Sequence, residues 1–241
     1  MFFTIRVKKG HGIDEVIRGL SPGILEEIKP AQQSGNSTFQ RLDRKYQELL
    51  AVHSITPWAD EKKLEQLLNT ITEVLSPAEI DVFLQTISKY EPYGRRHIDG
   101  AGLFISALIQ NSYNAGYNHF QLNTQVLKEL NYLAYDLKGI PENLLHLVVN
   151  GNVGDSFGQY SSYGHFTVKG MTMSFLSRAS EHCTFVLEHI FLKELESVRH
   201  NTYICQNVAT LKTLLADVPQ GNRIIQIKDG KEVIWRAFDA V

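Results

Sequence analysis

The densest collection of side chains able to do chemistry lies in EPYGRRHIDGAG (91–102), where Tyr93, Arg95, Arg96, His97 and Asp99 crowd one stretch. A histidine near an acid could move a proton, and a neighbouring guanidinium could hold an anion. The glycine-rich run also precedes an apolar helix, whose first backbone N–H groups could meet a negative charge. It is not a phosphate-loop or dinucleotide fingerprint, since both need other spacing and a preceding strand. Arg96, His97 and Asp99 are therefore catalytic or ligand-binding candidates, against the plainer reading of a capped connection. Asp155 sits at a glycine corner, where an acid is either a general base or a turn former bonded to local backbone.

Metal ligation has two candidate places. His146 and His165 align in successive repeat units, which sets their rings about one strand spacing apart. Thr184 and Thr202 follow at the same position and are poor ligands, so a surface polar ladder competes with a metal pair. His182-Cys183, with His189 and His200, matches no zinc spacing, and adjacent strand residues point to opposite faces. The two cysteines, Cys183 and Cys205, read as buried thiols. No cofactor is expected, and no G-x-S-x-G, H-E-x-x-H or C-x-x-C motif is present.

The elements that must position these residues change character along the chain. Phe2–Lys8 alternates as a strand, and short helices follow over 13–20 and 24–28. After a polar loop at 31–38 come three amphipathic helices. The first carries Phe39, Leu42, Tyr46, Leu49 and Leu50, and the second Leu64, Leu67, Leu68, Ile71 and Leu75. The third opens with the capping box Ser76-Pro77-Ala78-Glu79 and carries Ile80, Phe83, Ile87 and Tyr90. The 91–102 segment then reads as a loop, and Leu103–Asn111 as a markedly apolar helix.

From residue 146 the chain repeats itself with a period of about nineteen residues. Leu147, Phe166, Phe185 and Tyr203 fall at one position, and Val149, Val168, Leu187 and Cys205 two residues later. Residues two apart share a face of a strand, so each unit offers an apolar pair to a common interior. Phe157, Leu176 and Leu195, then Tyr160, Ala179 and Val198, form further stacks within the unit. HFQLNT (119–124) parallels HLVVNG (146–151) as an earlier unit, and IIQIKDGKEVIWRAF (224–238) reads as a hairpin around Asp229-Gly230.

The first full unit carries Gly151, Gly154 and Gly158, suited to corners and close backbone approach. NGNVGDSFG resembles a coil of the GXGXG-type β-helix domain found at the C-terminus of glutamate synthase and in a subunit of formylmethanofuran dehydrogenase. The likeness covers about residues 146–205, and none is seen for the N-terminal half. Taken with the repeat and with the amphipathic helices that precede it, the resemblance implies an α+β protein: an N-terminal helical domain, then a short right-handed parallel β-helix (a solenoid) of about 4–5 coils. The corresponding organisation is a mainly helical domain with a short N-terminal strand at 1–95, a linker and capping helix at 96–118, and a solenoid with closing strands at 119–241. It also implies a scaffold, because the domain holds no reacting groups in those relatives.

Bulk properties narrow the function classes. Apolar residues make up 43% and charged residues 21%, and a net charge of −2 leaves no electrostatic footprint for nucleic acid. No apolar stretch approaches the ~20 residues needed to span a bilayer, and the N-terminus lacks signal-peptide character. The expectations are a cytoplasmic protein, without nucleic-acid or membrane partners, that binds a protein partner or a second copy of itself. A small hydrolase or ligand-binding protein with its site at the helix–solenoid junction, using Arg96, His97 and Asp99, is the alternative.

Overall fold

A computed structural model describes residues 32–52, 61–127, 129–191 and 197–238. The expected strand at Phe2–Lys8, the two short helices after it, and Leu195 lie outside these residues. Helix α1 (Gln32–Leu50) and helix α2 (Glu61–Asn69) are followed by helix α3 (Pro77–Ile87), a 3₁₀ turn (Ser88–Tyr93) and helix α4 (Arg95–Asn114). Strands β1 (His119–Asn123), β2 (Leu145–Asn150), β3 (Gly164–Thr172), β4 (Thr184–Ile190) and β5 (Thr202–Cys205) come next. Helix α5 (Val208–Asp217) and the hairpin of β6 (Arg223–Lys228) and β7 (Lys231–Arg236) end the chain.

Local signals explain several boundaries. Ser76 Oγ accepts the Glu79 N–H, and the Glu79 carboxylate accepts the Ser76 N–H, so α3 begins on the capping box with Pro77 at its first position. Asn207 caps α5 by accepting the Thr210 N–H at 2.7 Å. Asp229 and Gly230 both have positive φ, as the tight turn between β6 and β7 requires. Helix α1 starts at Gln32, so the polar 31–38 stretch is mostly helical.

The strands form one seven-stranded sheet in the order β1 to β7. The first five pairings are parallel and the last is antiparallel. Leu147 pairs with Phe166, Phe166 with Phe185, and Phe185 with Tyr203, which is the register of the repeat alignment. All four side chains are fully buried. The rings of Phe166, Phe185 and Tyr203 follow one another at centroid spacings of 5.3 and 5.5 Å. Each such side chain contributes about 1.5–3 kcal/mol by leaving water.

This architecture corrects the expected α+β organisation with a β-helix. A β-helix needs a second ladder across its interior. Among the described residues, the segments between successive strands are joined by isolated bridges, such as Lys138–Ser162, Ser162–Glu181 and Glu181–Arg199, and by separate backbone hydrogen bonds, such as Tyr160 N–H to the Arg178 carbonyl, without a second continuous ladder. Left-handed residues interrupt those segments: Ser156, Gly158, Tyr160 and Tyr163 in one unit, and Phe175, Ser177, Ala179 and His182 in the next. Extended ladders cannot run through alternating positive φ. The fold is a single, mostly parallel α/β-type sheet with helices packed on it. Buried residues from Phe39 to Ile224 belong to one contiguous core.

The 91–102 segment also departs from expectation. It is not a loop: α4 starts at Arg95 and runs for 20 residues. Glycine read as a sign of a loop, yet Gly102 serves close packing. A Cβ built there would stand 1.8 Å from the Asn131 carbonyl oxygen and 2.7 Å from the Leu133 nitrogen. Helix α4 therefore lies directly on the backbone of 131–133, at a distance only a missing side chain permits.

Candidate functional site

The first turns of α4 place the catalytic candidates differently from one another. Arg96 is exposed, whereas His97 and Asp99 are each 2% exposed. Tyr93 stands in solvent on the turn before the helix. Asp99 Oδ2 accepts from Arg95 Nε at 3.3 Å, and its Oδ1 accepts from Asn131 Nδ2 at 2.7 Å. Asn131 Oδ1 in turn accepts the Asp155 N–H at 2.7 Å. Asp155 Oδ1 accepts the Ser174 N–H at 3.0 Å, tying one repeat unit to the next. Both acids are thus engaged in holding backbone and amide groups, and neither is directed at the His97 ring.

Asn131, which carried no signal in the sequence, is the centre of that network. It is buried, and its own N–H donates to the Ile98 carbonyl at 3.1 Å. Gly154 lies against it, since a Cβ there would stand 2.0 Å from Asn131 Oδ1. Gly151 and Gly158 have φ of +128° and +71°.

His97 is joined instead to Tyr46, a residue 51 positions earlier on α1. Tyr46 Oη and His97 Nδ1 are 2.7 Å apart, both buried. The Tyr46 hydroxyl also donates to the His97 carbonyl at 3.4 Å. The other ring nitrogen, Nε2, is buried and has no hydrogen-bond partner among the described residues, as is true of the amide atoms of Gln159 and the Thr172 hydroxyl. His97 lines a cavity of about 160 Å³ with Glu91, Gly94, Ile98, Leu127 and Glu129.

Burial pulls the His97 ring from its usual 6.5 down to about 4, with Glu91 offsetting part of the effect. Burial, aided by Tyr90, pushes the Tyr46 hydroxyl well up. The pair is neutral at neutral pH. The unfolded chain takes a proton on this histidine near pH 6.5, and the folded chain resists until about pH 4. Stability contributed by the neutral ring is present above 6.5 and is lost as pH falls from 6.5 towards 4, by up to about 3 kcal/mol. Burial lowers His146 and His165 too, so they act in the same direction. Urea unfolding at pH 7 and pH 4.5 checks this. The wild-type chain loses stability on acidification, and His97→Gln shows a smaller loss.

The metal candidates form part of a longer column. His119, His146 and His165 are in register on β1, β2 and β3. The first two rings stack at 4.4 Å and 4°, and the second and third tilt at 5.4 Å. A second column runs along the bends just before β3, β4 and β5. Tyr163, His182 and His200 stack at 5.1 and 5.3 Å with interplanar angles of 7°. Parallel stacked rings present faces to one another, not nitrogen lone pairs to a common point. Among the described residues, no three His, Cys, Asp or Glu side chains are grouped to hold a metal ion.

His182 is exposed while Cys183 is buried, so the two point to opposite faces. Burial raises the Cys183 thiol to about 12 and the Cys205 thiol to about 11, which leaves both as protonated, poorly nucleophilic core groups at neutral pH.

No helix among the described residues is long and apolar enough to cross a membrane. No family model, no curated protein and no solved structure matches the chain.

Proposed function

We propose that the protein is a non-enzymatic interaction scaffold that associates with a second copy of itself through the open edge of its sheet. The observation that carries this reading is the contrast between the two sheet edges. At β1, helix α3 covers the edge: Asp81 Oδ1 accepts the Asn123 N–H at 2.7 Å, and Gln85 Nε2 donates to the Asn123 carbonyl at 2.6 Å. At the far edge, β7 pairs with β6 on one side and has no strand on its outer side among the described residues. It exposes Val233, Ile234, Trp235 and the following Phe238 to 38%, 52%, 52% and 41%.

An open edge with several large apolar side chains is a template for strand pairing. A second β7 related by a two-fold axis meets the first antiparallel, and such an interface needs no other partner. Lys231, Glu232 and Arg236 supply charges of both signs along the strand, which avoids a like-charged edge. A second reading, small-molecule binding at the helix–sheet junction, draws on the cavity of about 160 Å³ that His97 lines.

The test is mass in solution. The chain is expected at twice its 27.3 kDa mass at concentrations of about 10–100 µM. Ile234→Lys and Trp235→Glu, both at exposed positions, should each return it to 27.3 kDa with an unchanged circular dichroism spectrum. A wild-type chain that stays monomeric throughout this range overturns the reading.

A further inference from the structure

Every second residue of the strands faces away from the core. Leu147, Phe166, Phe185 and Tyr203 are fully buried, whereas their successors Val148, Thr167, Val186 and Ile204 are only half-buried. These four are paired in register from β2 to β5, and their row continues through Ile225 on β6 to Ile234 on β7. Val148, Val186 and Ile204 are not among the apolar side chains that pack on the core. Parallel sheets are normally covered on both faces, and a row of β-branched residues on an open face leaves apolar surface in water.

Polar rows flank the apolar one. His119, His146, His165, Thr184 and Thr202 run along one side, and Asn123, Asn150 and Lys169 along the other. Val168 pairs with Leu187, so Lys169 and Glu188 follow them on adjacent strands, both exposed. Neither has a close ion pair among the described residues; Glu188 comes only within 3.9 Å of the His189 ring nitrogen. An apolar stripe between polar rows, with one free charge of each sign, is complementary to itself.

We infer that this face packs against the same face of a second copy, about a two-fold axis that runs parallel to the strands between β3 and β4. The axis sets Val148 over Ile204 of the second copy, Thr167 over its Val186, and Lys169 over its Glu188. Two Lys–Glu pairs result, one on each side of the axis. Six strands about 4.8 Å apart and five residues of about 3.3 Å give a face of about 500 Å² on each copy. The total of roughly 1,000 Å² is at the lower bound of a specific interface, so the contact is weak. Strand β7 stays outside the overlap. The contact therefore does not compete with the β7 edge, and either reading stands if the other fails.

The test uses Trp235→Glu, which removes the edge contact, at about 0.1–2 mM and pH 7.5. Its mass in sedimentation equilibrium should rise from 27.3 kDa towards twice that value, with Kd of about 1 mM. Val186→Lys, added at a half-buried position of the row, should hold it at 27.3 kDa with an unchanged circular dichroism spectrum. Lys169→Glu and Glu188→Lys, added singly, should each weaken association by roughly fivefold, because like charges then meet across the axis. An equimolar mixture of these two variants restores opposite charges at both pairs, so it should associate as tightly as the parent. A Trp235→Glu chain that stays at 27.3 kDa up to about 2 mM overturns the inference. So does a Val186→Lys chain that associates like its parent, or a mixture that associates no better than its components. Failure of the edge reading is seen separately, in the wild-type chain at about 10–100 µM, where this weaker contact is sparse.

Discussion

Gly102→Ala lowers the stability of the protein by at least about 3 kcal/mol, or prevents it from folding. The added methyl would sit 1.8 Å from the Asn131 carbonyl oxygen. Its neighbours are backbone atoms of 131 and 133, not flexible side-chain ends, so relief requires α4 to lift off the segment before β2. Lifting breaks the bond from the Asn131 N–H to the Ile98 carbonyl. It also breaks the bonds that join Ser106 Oγ to the Tyr132 carbonyl and to the Tyr135 N–H. In a solvent-facing helix the same substitution would be favourable by about 1 kcal/mol. The sign of the change in urea midpoint therefore separates the two situations. A more stable Gly102→Ala variant would mean that α4 does not rest on this backbone.

Asn131→Asp is the second large effect, with an expected loss of about 3–5 kcal/mol at neutral pH. The native amide is bifunctional: Nδ2 donates to Asp99 and Oδ1 accepts from the Asp155 N–H. A carboxylate keeps the acceptor and loses the donor. It also sets a second negative charge within hydrogen-bond distance of Asp99, where both residues are 2% exposed. Arg95 remains as a partner for Asp99, but its side chain is 73% exposed and its charge is largely screened. One of two such carboxyls takes up a proton as pH falls, which returns part of the lost stability. The variant should therefore show a shallower or reversed pH slope between 7 and 4.5, whereas the wild-type chain becomes less stable. Equal slopes would show that Asn131 is not the link between α4 and the repeat units.

These two positions illustrate what was legible in the sequence. Strand register was, because Leu147, Phe166, Phe185 and Tyr203 recur every 18 or 19 residues and a shared interior demands like on like. The capping box of α3 and the Asp229-Gly230 turn were legible for the same reason: each is a local rule read from adjacent residues. The cross-section of the repeat was not. Ser156, Tyr160, Phe175, Ala179 and His182 adopt positive φ although nothing in their types announces it, and the neighbouring units hold them there. The expected second ladder failed at those residues. Helix α5 is hidden because VATLKTLLAD follows directly on the last aligned pair, Tyr203 and Cys205, within one repeat length; Asn207 before it is the capping signal that could have found it.

The site divides similarly. Arg96, His97 and Asp99 stood out by type, but their roles depend on residues far along the chain. Tyr46 takes one nitrogen of His97, and Asn131 takes one oxygen of Asp99. Glycines 94, 100 and 102 suggested a loop, because close backbone approach and turn formation use the same residue. The stacked column was foreseen at His146 and His165. The separate column of Tyr163, His182 and His200 follows from the same register, shifted two residues earlier.

Amide hydrogen exchange of β7 tests the central claim most directly. In a dimer built on the sheet edge, the amides of Lys231–Arg236 that face away from β6 become hydrogen-bonded to the second copy. Their exchange should slow by roughly tenfold or more between dilute and concentrated protein, while amides of the α3-covered β1 edge keep the same rate. Uniformly fast exchange of the outward-facing β7 amides at every concentration would contradict the account.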